Sequence, residues 1–545
     1  MPQTQIKPIL AMRGGLNYSL PADLISETEM SDCLNVFFED GLIKKRYGYA
    51  TMGSNLPLDG AVMGIDQFYK FDGNSWLLVM TENQIYKWIP ATSLWDSISD
   101  AEGLYGAGAY GAEAYGANTG DPFTGTDEDY FSYDYIRKST ETDPWWIMTN
   151  GVDPIKKFTG TGAISNLISD YPTGVTTLFS KHVIEFKDHL LLLDVTENGD
   201  RYPQRVRWSD TADPEDFING NASYQDLTGA DWIVGAIKFK GDYIVIFKER
   251  SIWVGYATGD SDIFQFDQKV AGTGSPAGRT IESLGDEIIF LGWDDIYVFD
   301  GIDYEPIGTP IQRRLFATLN PEEMDRCFGV VVEEQKEYWL FVPSTDKSHI
   351  SGSGVSTYPD IAWCFNYELN KWTRHSYNDF ITMYGYYEIE RTQTWDDLVG
   401  SWDAQTWRWD DRTILAAAPT NLFGDSSGNV YEYSRSVKNE DGTAIDGWFS
   451  SKDFNFTQLM QRQLILRIDI YYTGQGLDVH YSTDKGGSWV SIGSLSANDD
   501  LESVQRLFLR LDCTMVRLRF RNNTSGQTFE FSRANLYWQE SGGRL

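Results

Sequence analysis

Hydrophobic positions in this chain fall into short runs separated by turn residues, and one two-stranded unit recurs. Its clearest copy lies within residues 275 to 301. An apolar run Ile288, Ile289, Phe290, Leu291 meets a tight turn from Gly292 to Asp295, and a second run Ile296, Tyr297, Val298, Phe299 closes on Asp300 and Gly301. Runs of this length bounded by Gly and Asp predict a β-hairpin. Weaker copies pair Trp76 to Met80 with Ile85 to Trp88, Trp145 to Met148 with Ile155 to Phe158, and Leu190 to Leu193 with Arg205 to Trp208 through Asn198-Gly199. Further copies pair Tyr243 to Phe247 with Ile252 to Val254, Tyr338 to Val342 with Ile361 to Tyr367, and Leu422 to Asp425 with Val430 to Tyr433.

A hairpin of this kind cannot bury both its faces alone, so repetition predicts stacked sheets, a β-propeller. Residues 60 to 435 hold seven hairpins. With blades of about 40 to 50 residues, six or seven fit. Six is the favoured count, one hairpin closing the ring against the N-terminal segment. The only clear helical stretch is Pro310 to Leu319, restarting at Asn320-Pro321-Glu322-Glu323, where proline suits a first helical position.

The predicted fold is therefore all-β, with four regions. Residues 1–59 form an extended arm with one strand. Residues 60–435 form the propeller, with insertions at 101–130 and 391–412. Residues 436–446 are a linker. Residues 447–545 carry further short strands, from Leu464 to Tyr472 through Phe529 to Trp538, whose count and spacing predict a β-sandwich.

Composition refines this picture. An aromatic content of 14% and 50 glycines fit many short strands and tight turns. The formal net charge is −34, which opposes affinity for phosphate backbones. Residues 447–545 hold 11 basic and 10 acidic side chains, which leaves 34 basic against 69 acidic in residues 1–446. The acidity belongs to the propeller. Cys33, Cys327, Cys364 and Cys513 have no metal-ligand spacing and read as reduced and buried. Met1 to Arg13 lacks the apolar core of a signal peptide, and no run approaches the roughly 20 residues of a membrane helix. The expectation is a protein made in the cytoplasm, without membrane insertion.

Three features are candidate interfaces. Lys44, Lys45 and Arg46 form a basic cluster in the arm, either a docking patch or edge-strand charges that discourage aggregation. Trp395, Trp402, Trp407 and Trp409 crowd the second insertion and must pack on something, either the propeller rim or another chain. Their Trp-Asp pairs cluster in one insertion and do not end a strand in each blade, so they make no WD40 repeat. Arg517, Arg519 and Arg521 alternate with Leu518 and Phe520, which puts three cations on one face of a strand, as a contact or as a solvated face. The first insertion, residues 101–120, is Gly-rich with Tyr105, Tyr110 and Tyr115 five apart, and reads as a flexible loop or one ordered by a partner.

Catalytic signals are absent. Ser482, Asp484, Gly486, Ser488 and Trp489 match an Asp-box turn, a structural motif of sialidases and other sugar-handling propellers, which occurs once and outside the propeller. Acid pairs such as Asp294-Asp295, Asp396-Asp397 and Asp499-Asp500 sit in turns. His182, His189, His349, His375 and His480 lack metal spacing, and no nucleophile elbow or phosphate loop is present. No catalytic residue, cofactor or metal is expected.

Met12-Arg13-Gly14-Gly15-Leu16-Asn17, then Pro21 to Leu24, Asn35 and Gly41-Leu42-Ile43-Lys44-Lys45-Arg46-Tyr47-Gly48-Tyr49 resemble the opening of tail nozzle proteins of short-tailed bacteriophages. That family is also called tail tubular protein B, tail hub or DNA-stabilising protein. Tyr47 stands where the family commonly has proline. Arg207-Trp208-Ser209-Asp210 with Asp213-Pro214, and residues 272 to 301, are similar as well, so the resemblance covers residues 10 to 60 and 200 to 301 best. It implies a non-enzymatic virion structural protein: a six-bladed propeller with added β domains, a homohexamer on the tail axis. Its implied partners are the portal-adaptor (head-to-tail connector) ring and a tail fibre, spike or tail-tip protein. The implied location is the virion tail, assembled in the host cytoplasm, with double-stranded DNA retained and then passed at ejection without specific binding. The alternative is a carbohydrate-binding or sialidase-like propeller.

Overall fold

A computed structural model describes residues 4–10, 12–99, 123–259, 262–345, 354–388, 419–455 and 461–544. The fold is all-β and has the expected kind of sheet in the expected places. Six of the seven predicted hairpins form the central pair of a four-stranded antiparallel meander, and the seventh supplies two adjacent strands of a six-stranded sheet. Inner strands are covered on both edges and both faces, so their apolar runs are the longest and the most legible.

Two compact units divide the chain. One holds residues 51–226 and 382–434. Its first blade is Val62–Tyr69, Ser75–Thr81, Ile85–Ile89 and Leu94–Ser97. The second is Ser132–Ile136, Trp145–Thr149, Lys156–Phe158 and Ser165–Asn166. The third is Leu178–Phe186, His189–Glu197, Asp200–Trp208 and Ser223–Asp226. Asn198 (φ 51°) and Gly199 (φ 90°) turn its long hairpin, as a tight primed turn requires. The meander Ile381–Tyr387, Thr420–Asp425, Val430–Ser434 is the seventh blade in chain order. Cores lie between successive sheets: Trp146, Met148 and Phe158 of the second blade pack with Phe68, Leu78 and Met80 of the first. Phe123, at the end of the predicted 101–130 insertion, and Phe131 are also buried in this core.

The other unit holds residues 1–50, 227–381 and 435–545. It contains the fourth blade (Ile233–Phe239, Tyr243–Lys248, Ser251–Ala257, Phe264–Ala271) and the fifth (Glu282–Ser283, Ile288–Leu291, Ile296–Phe299, Tyr304–Pro306). The sixth blade is Phe328–Val332, Glu337–Val342, Ile361–Asn366 and Lys371–Ser376. Between the fifth and sixth lie the helix Gln312–Thr318 and the 3-10 turn Pro321–Arg326, whose first N–H groups are capped when Asn320 Oδ1 accepts from Glu322 N at 3.2 Å. Seven blade-type sheets form, against the favoured six: six hairpins take both outer strands from their own stretch of chain, and the sheet of the seventh continues onto Gly48–Thr51 of the N-terminal segment, where one hairpin was expected to meet that segment.

The C-terminal strands form a two-sheet sandwich, but not by themselves. One sheet orders Val504–Cys513, Gln461–Gly474, Phe529–Arg544, Leu42–Lys45 and Val36–Glu39, with Gln5–Leu10 also on Phe529–Arg544. The other orders Asp32–Leu34, Gly447–Ser450, Arg517–Asn522, Leu477–Ser482 and Val490–Leu495. Residues expected as an extended arm thus supply four sandwich strands. The two sheets meet through Phe449, Phe520 and Phe531, with ring centroids 4.8 to 5.2 Å apart. The expected linker also has structure: Asn439–Glu440 and Thr443–Ala444 form a small hairpin whose Glu440 pairs with Tyr49 of the strand Gly48–Thr51.

Candidate functional site

The basic cluster of the arm turns inward. Lys45, on the inward side of the strand Leu42–Lys45, is 1% exposed and Arg46, just past the strand's end, 2%, so two of the three cations belong to the interior. Lys45 Nζ donates to Asn522 Oδ1 at 2.9 Å and to the Gln527 carbonyl at 3.0 Å. Burial, reinforced by neighbouring Arg46, pulls its ammonium down to about 8. Arg46 donates to Asn35 Oδ1 at 2.8 Å and to the Ser376 carbonyl at 2.7 Å, pairs with the buried carboxylate of Glu440, and lies 4.5 Å over the Tyr377 ring. Lys44 is held by Glu39 at 3.0 Å and Glu530 at 3.3 Å. Both expectations for this cluster, docking patch and edge-strand charge, are corrected. A strand with neighbours on each side has no free edge, and its cations meet fixed acceptors.

The arginine strand has a similar outcome. Leu518 and Phe520 point into the sandwich core while Arg517, Arg519 and Arg521 share the opposite face, as the alternation requires. Each cation has a built-in partner. Arg517 donates twice to Asp453 (2.7 and 2.9 Å), and Arg521 twice to Asp446 (2.7 and 3.0 Å). Arg519 is stacked between Trp448 (4.1 Å) and Trp489 (3.8 Å), and burial lowers its guanidinium to about 10. The expected free basic face is thus a neutralised ladder. Trp395, Trp402, Trp407 and Trp409, the third candidate, lie outside the described residues.

Trp489 ends the Asp-box turn, which has its structural form. Asp484 accepts from Ser488 N (2.9 Å), Ser488 Oγ (2.6 Å) and Ser482 Oγ (2.6 Å), while Gly486 N donates to Ser482 Oγ (2.8 Å). These bonds hold the Asp484 carboxylate well below its ordinary range. Both carboxylate oxygens accept within the turn, which organises the hairpin.

Buried titratable groups are scattered. His375 Nδ1 lies 3.3 Å from Cys364 Sγ, and its Nε2 3.2 Å from the Val36 carbonyl oxygen; burial and Arg46 push it down to about 3. Burial likewise pushes His182 down to about 4 and raises Glu282 and Glu337 to about 8. All four cysteines are free and buried, and no His, Cys, Asp and Glu group is arranged to hold a metal among the described residues. Among the described residues no helix is long and apolar enough to cross a membrane. In the third blade, Arg201 is bidentate on Asp194 (2.8 and 2.6 Å), Arg205 on Asp226 (2.8 and 3.0 Å), and Arg207 meets Glu197 (2.9 and 2.6 Å).

A surface that the candidates did not include is the outer face of the sandwich sheet bounded by Val504–Cys513. Leu507, Leu509 and Leu511 pack inward, leaving Arg506, Phe508 and Arg510 exposed. The signal was present in the run Arg506-Leu507-Phe508-Leu509-Arg510-Leu511 as strict alternation with arginine and phenylalanine on the polar side.

No protein-family model matches the chain, and no curated protein matches it in sequence. Among solved structures it is similar to the extracellular domain of a hybrid two-component system from B. thetaiotaomicron, with a TM-score of 0.39 and 9% identity, covering 74% of this chain and 46% of that one. The chain therefore spans less than half the length of that relative. It is also similar to an exo-β-1,3-galactanase from Phanerochaete chrysosporium (TM-score 0.28, 10% identity, 91% of this chain and 100% of that one) and to YCF48 from Cyanidioschyzon merolae (TM-score 0.37, 8% identity, 71% and 98%). The propeller assignment stands on the seven sheets of this chain.

Proposed function

We propose that this chain is a non-enzymatic structural subunit of a virion, the tail nozzle or hub of a short-tailed phage, which assembles as a ring and lets double-stranded DNA pass. The observation that carries the reading is the structural role of the residues that make the family resemblance. Gly14 and Gly15 leave no room for a side chain: a Cβ would lie 2.7 Å from the Thr28 carbonyl oxygen at one and 3.0 Å from Lys371 Cβ at the other. Asn35 takes a left-handed φ of 54° and receives the guanidinium of Arg46, and Gly48 lies against Asn439. Gly14, Gly15, Asn35 and Gly48 thus each answer a steric or hydrogen-bonding demand of the fold, which supports reading that phrase as a structural one.

The charge supports the same reading. A conduit that binds phosphates must break those contacts at each step of ejection, whereas a net charge of −34 opposes binding. In this role the chain has as partners other copies of itself, a portal-adaptor ring and a fibre, spike or tip protein. Negative-stain electron microscopy of the purified full chain tests the reading. Rings, alone or with an adaptor ring, are the expected result; a stable monomer that cleaves sialosides or other glycosides would overturn it.

A further inference from the structure

The outer face of the sheet bounded by Val504–Cys513 has the composition of an interface core. Register places Ile6, Tyr537, Arg467 and Phe508 side by side across four strands. The two ends of that row are bare: Ile6 is 57% exposed and Phe508 73%, the highest value among the large hydrophobic side chains of the described residues. Between them Arg467 stacks on Tyr537 at 3.8 Å. Around the row stand three exposed arginines. Arg506 reaches Asp469 only at 3.8 Å, Arg533 lies 4.3 Å over Tyr471, and Arg510 makes no ion pair among the described residues. Among the acidic groups of this face, Asp469 is already bound by Arg467 at 2.8 Å and Asp512 by Arg462 at 3.1 Å. An apolar and aromatic row edged by cations resembles the anchors that carry binding energy in protein interfaces, where Trp, Tyr and Arg are enriched.

The rest of the chain supplies a match of opposite sign. Residues 1–446 hold 69 acidic against 34 basic side chains. One complement among them is the outer corner of the fifth blade. There Asp300, Asp303 and Glu305 are exposed beside Ile302 (71% exposed) and Tyr304, on the edge strand Tyr304–Pro306. Asp300 is fixed by the Ile302 and Asp303 amides, both at 2.8 Å, so the corner is preformed.

We infer that the face of Phe508 and Arg506 docks onto the fifth-blade corner of a second copy of this chain. The contact joins two different patches, so it is head-to-tail and generates a ring where its rotation closes. The inference rests on the proposed ring-forming subunit and names the surfaces that build it.

Reciprocal charge reversal in the full-length chain tests it by sedimentation velocity. Arg506→Glu/Arg510→Glu and, separately, Asp303→Lys/Glu305→Lys are expected to leave the far-UV circular dichroism and the thermal midpoint unchanged while shifting the oligomer to monomer. A 1:1 mixture of the two is expected to reassemble, because each reversed face then meets a reversed corner. Phe508→Ser tests the apolar half alone and is expected to raise the dissociation constant at least tenfold. Wild-type oligomers that persist in both charge variants, or a mixture that stays monomeric, would overturn the assignment while leaving a ring-forming subunit intact. A wild-type chain that is itself monomeric would overturn both. Loss of duplex DNA binding by Arg506→Glu/Arg510→Glu with assembly unchanged would give this face to nucleic acid and end the proposal.

Discussion

Glu337 shows what a single buried side chain does to this protein. It lies in an inner strand of the sixth blade at 0% exposure, with one oxygen accepting from Trp339 Nε1 at 2.7 Å and Oε1 without a hydrogen-bond partner among the described residues. Desolvation raises its carboxyl to about 8, so the native state keeps a proton that the unfolded chain releases near its ordinary value of 4.5. The raised group stabilises the native state below the unfolded pKa, and that contribution declines as pH rises from about 4.5 to about 8. Glu337→Gln keeps the shape and removes the titration. Its chemical-unfolding midpoint is expected to gain on the wild type between pH 5 and pH 8, by on the order of 2 kcal/mol or more. Equal changes in both proteins over that interval would refute the assignment. Glu282, also raised to about 8 by burial, adds a slope of the same sign that remains in the variant. Neither shift was legible in the sequence, where Glu337 follows Lys336 in a polar stretch, because desolvation is set by what the neighbouring strands bring against it.

At the scale of elements, local pattern and long-range packing divide the work. Central hairpins were legible because both their strands are buried and bounded by Gly, Asp or Asn. Outer strands such as Ser165–Asn166 and Tyr304–Pro306 were not, since short exposed edges carry no apolar period. The strand Gly48–Thr51 shows a constraint of the second kind. A Cβ on Gly48 would lie 2.0 Å from the Asn439 carbonyl oxygen and 2.6 Å from its nitrogen, and backbone atoms give way at a cost. Gly48→Ala is expected to destabilise by about 2 to 3 kcal/mol and to speed amide exchange over residues 439 to 444, whose hairpin holds Glu440 against Arg46. Gly442→Ala is the control. It has a φ of 90° but nothing within 4 Å of an added Cβ, so its cost is the backbone strain alone, about 1 to 2 kcal/mol. Equal effects of the two changes would show that close approach is not the constraint at Gly48.

At the scale of the molecule, the sandwich is closed by both ends of the chain. Gln5–Leu10, Asp32–Leu34, Val36–Glu39 and Leu42–Lys45 add strands to sheets whose other members lie beyond residue 446. Without them the long sheet loses strands from one side, and Phe449, Phe520, Phe529 and Phe531 lose Cys33, Val36, Phe38 and Ile43 from their shared core. A fragment of residues 447 to 545 is therefore expected to lack cooperative unfolding and dispersed amide resonances, although its composition resembles that of an independent β-sandwich. A single sharp unfolding transition from that fragment would show that the sandwich folds without the first 50 residues.

The sequence alone determined the all-β class, the seven hairpins, the helix after the fifth blade with the capped turn behind it, and the Asp-box turn. Each depends on alternation or turn chemistry within a few residues, which any context must respect. Tertiary structure decided the fate of the charges. Lys45 and Arg46 read as a surface cluster until Asn522, Glu440 and Ser376 are brought to them from more than 300 residues away, and Arg517, Arg519 and Arg521 read as a basic face until Asp453, Asp446 and Trp448 fold against them. Arg506, Phe508 and Arg510 carry the same alternating pattern, yet they stay exposed because Val504–Cys513 is the edge strand of its sheet. A strand's own residues set which side chains share a face; whether that face meets water or protein depends on the strands beside it.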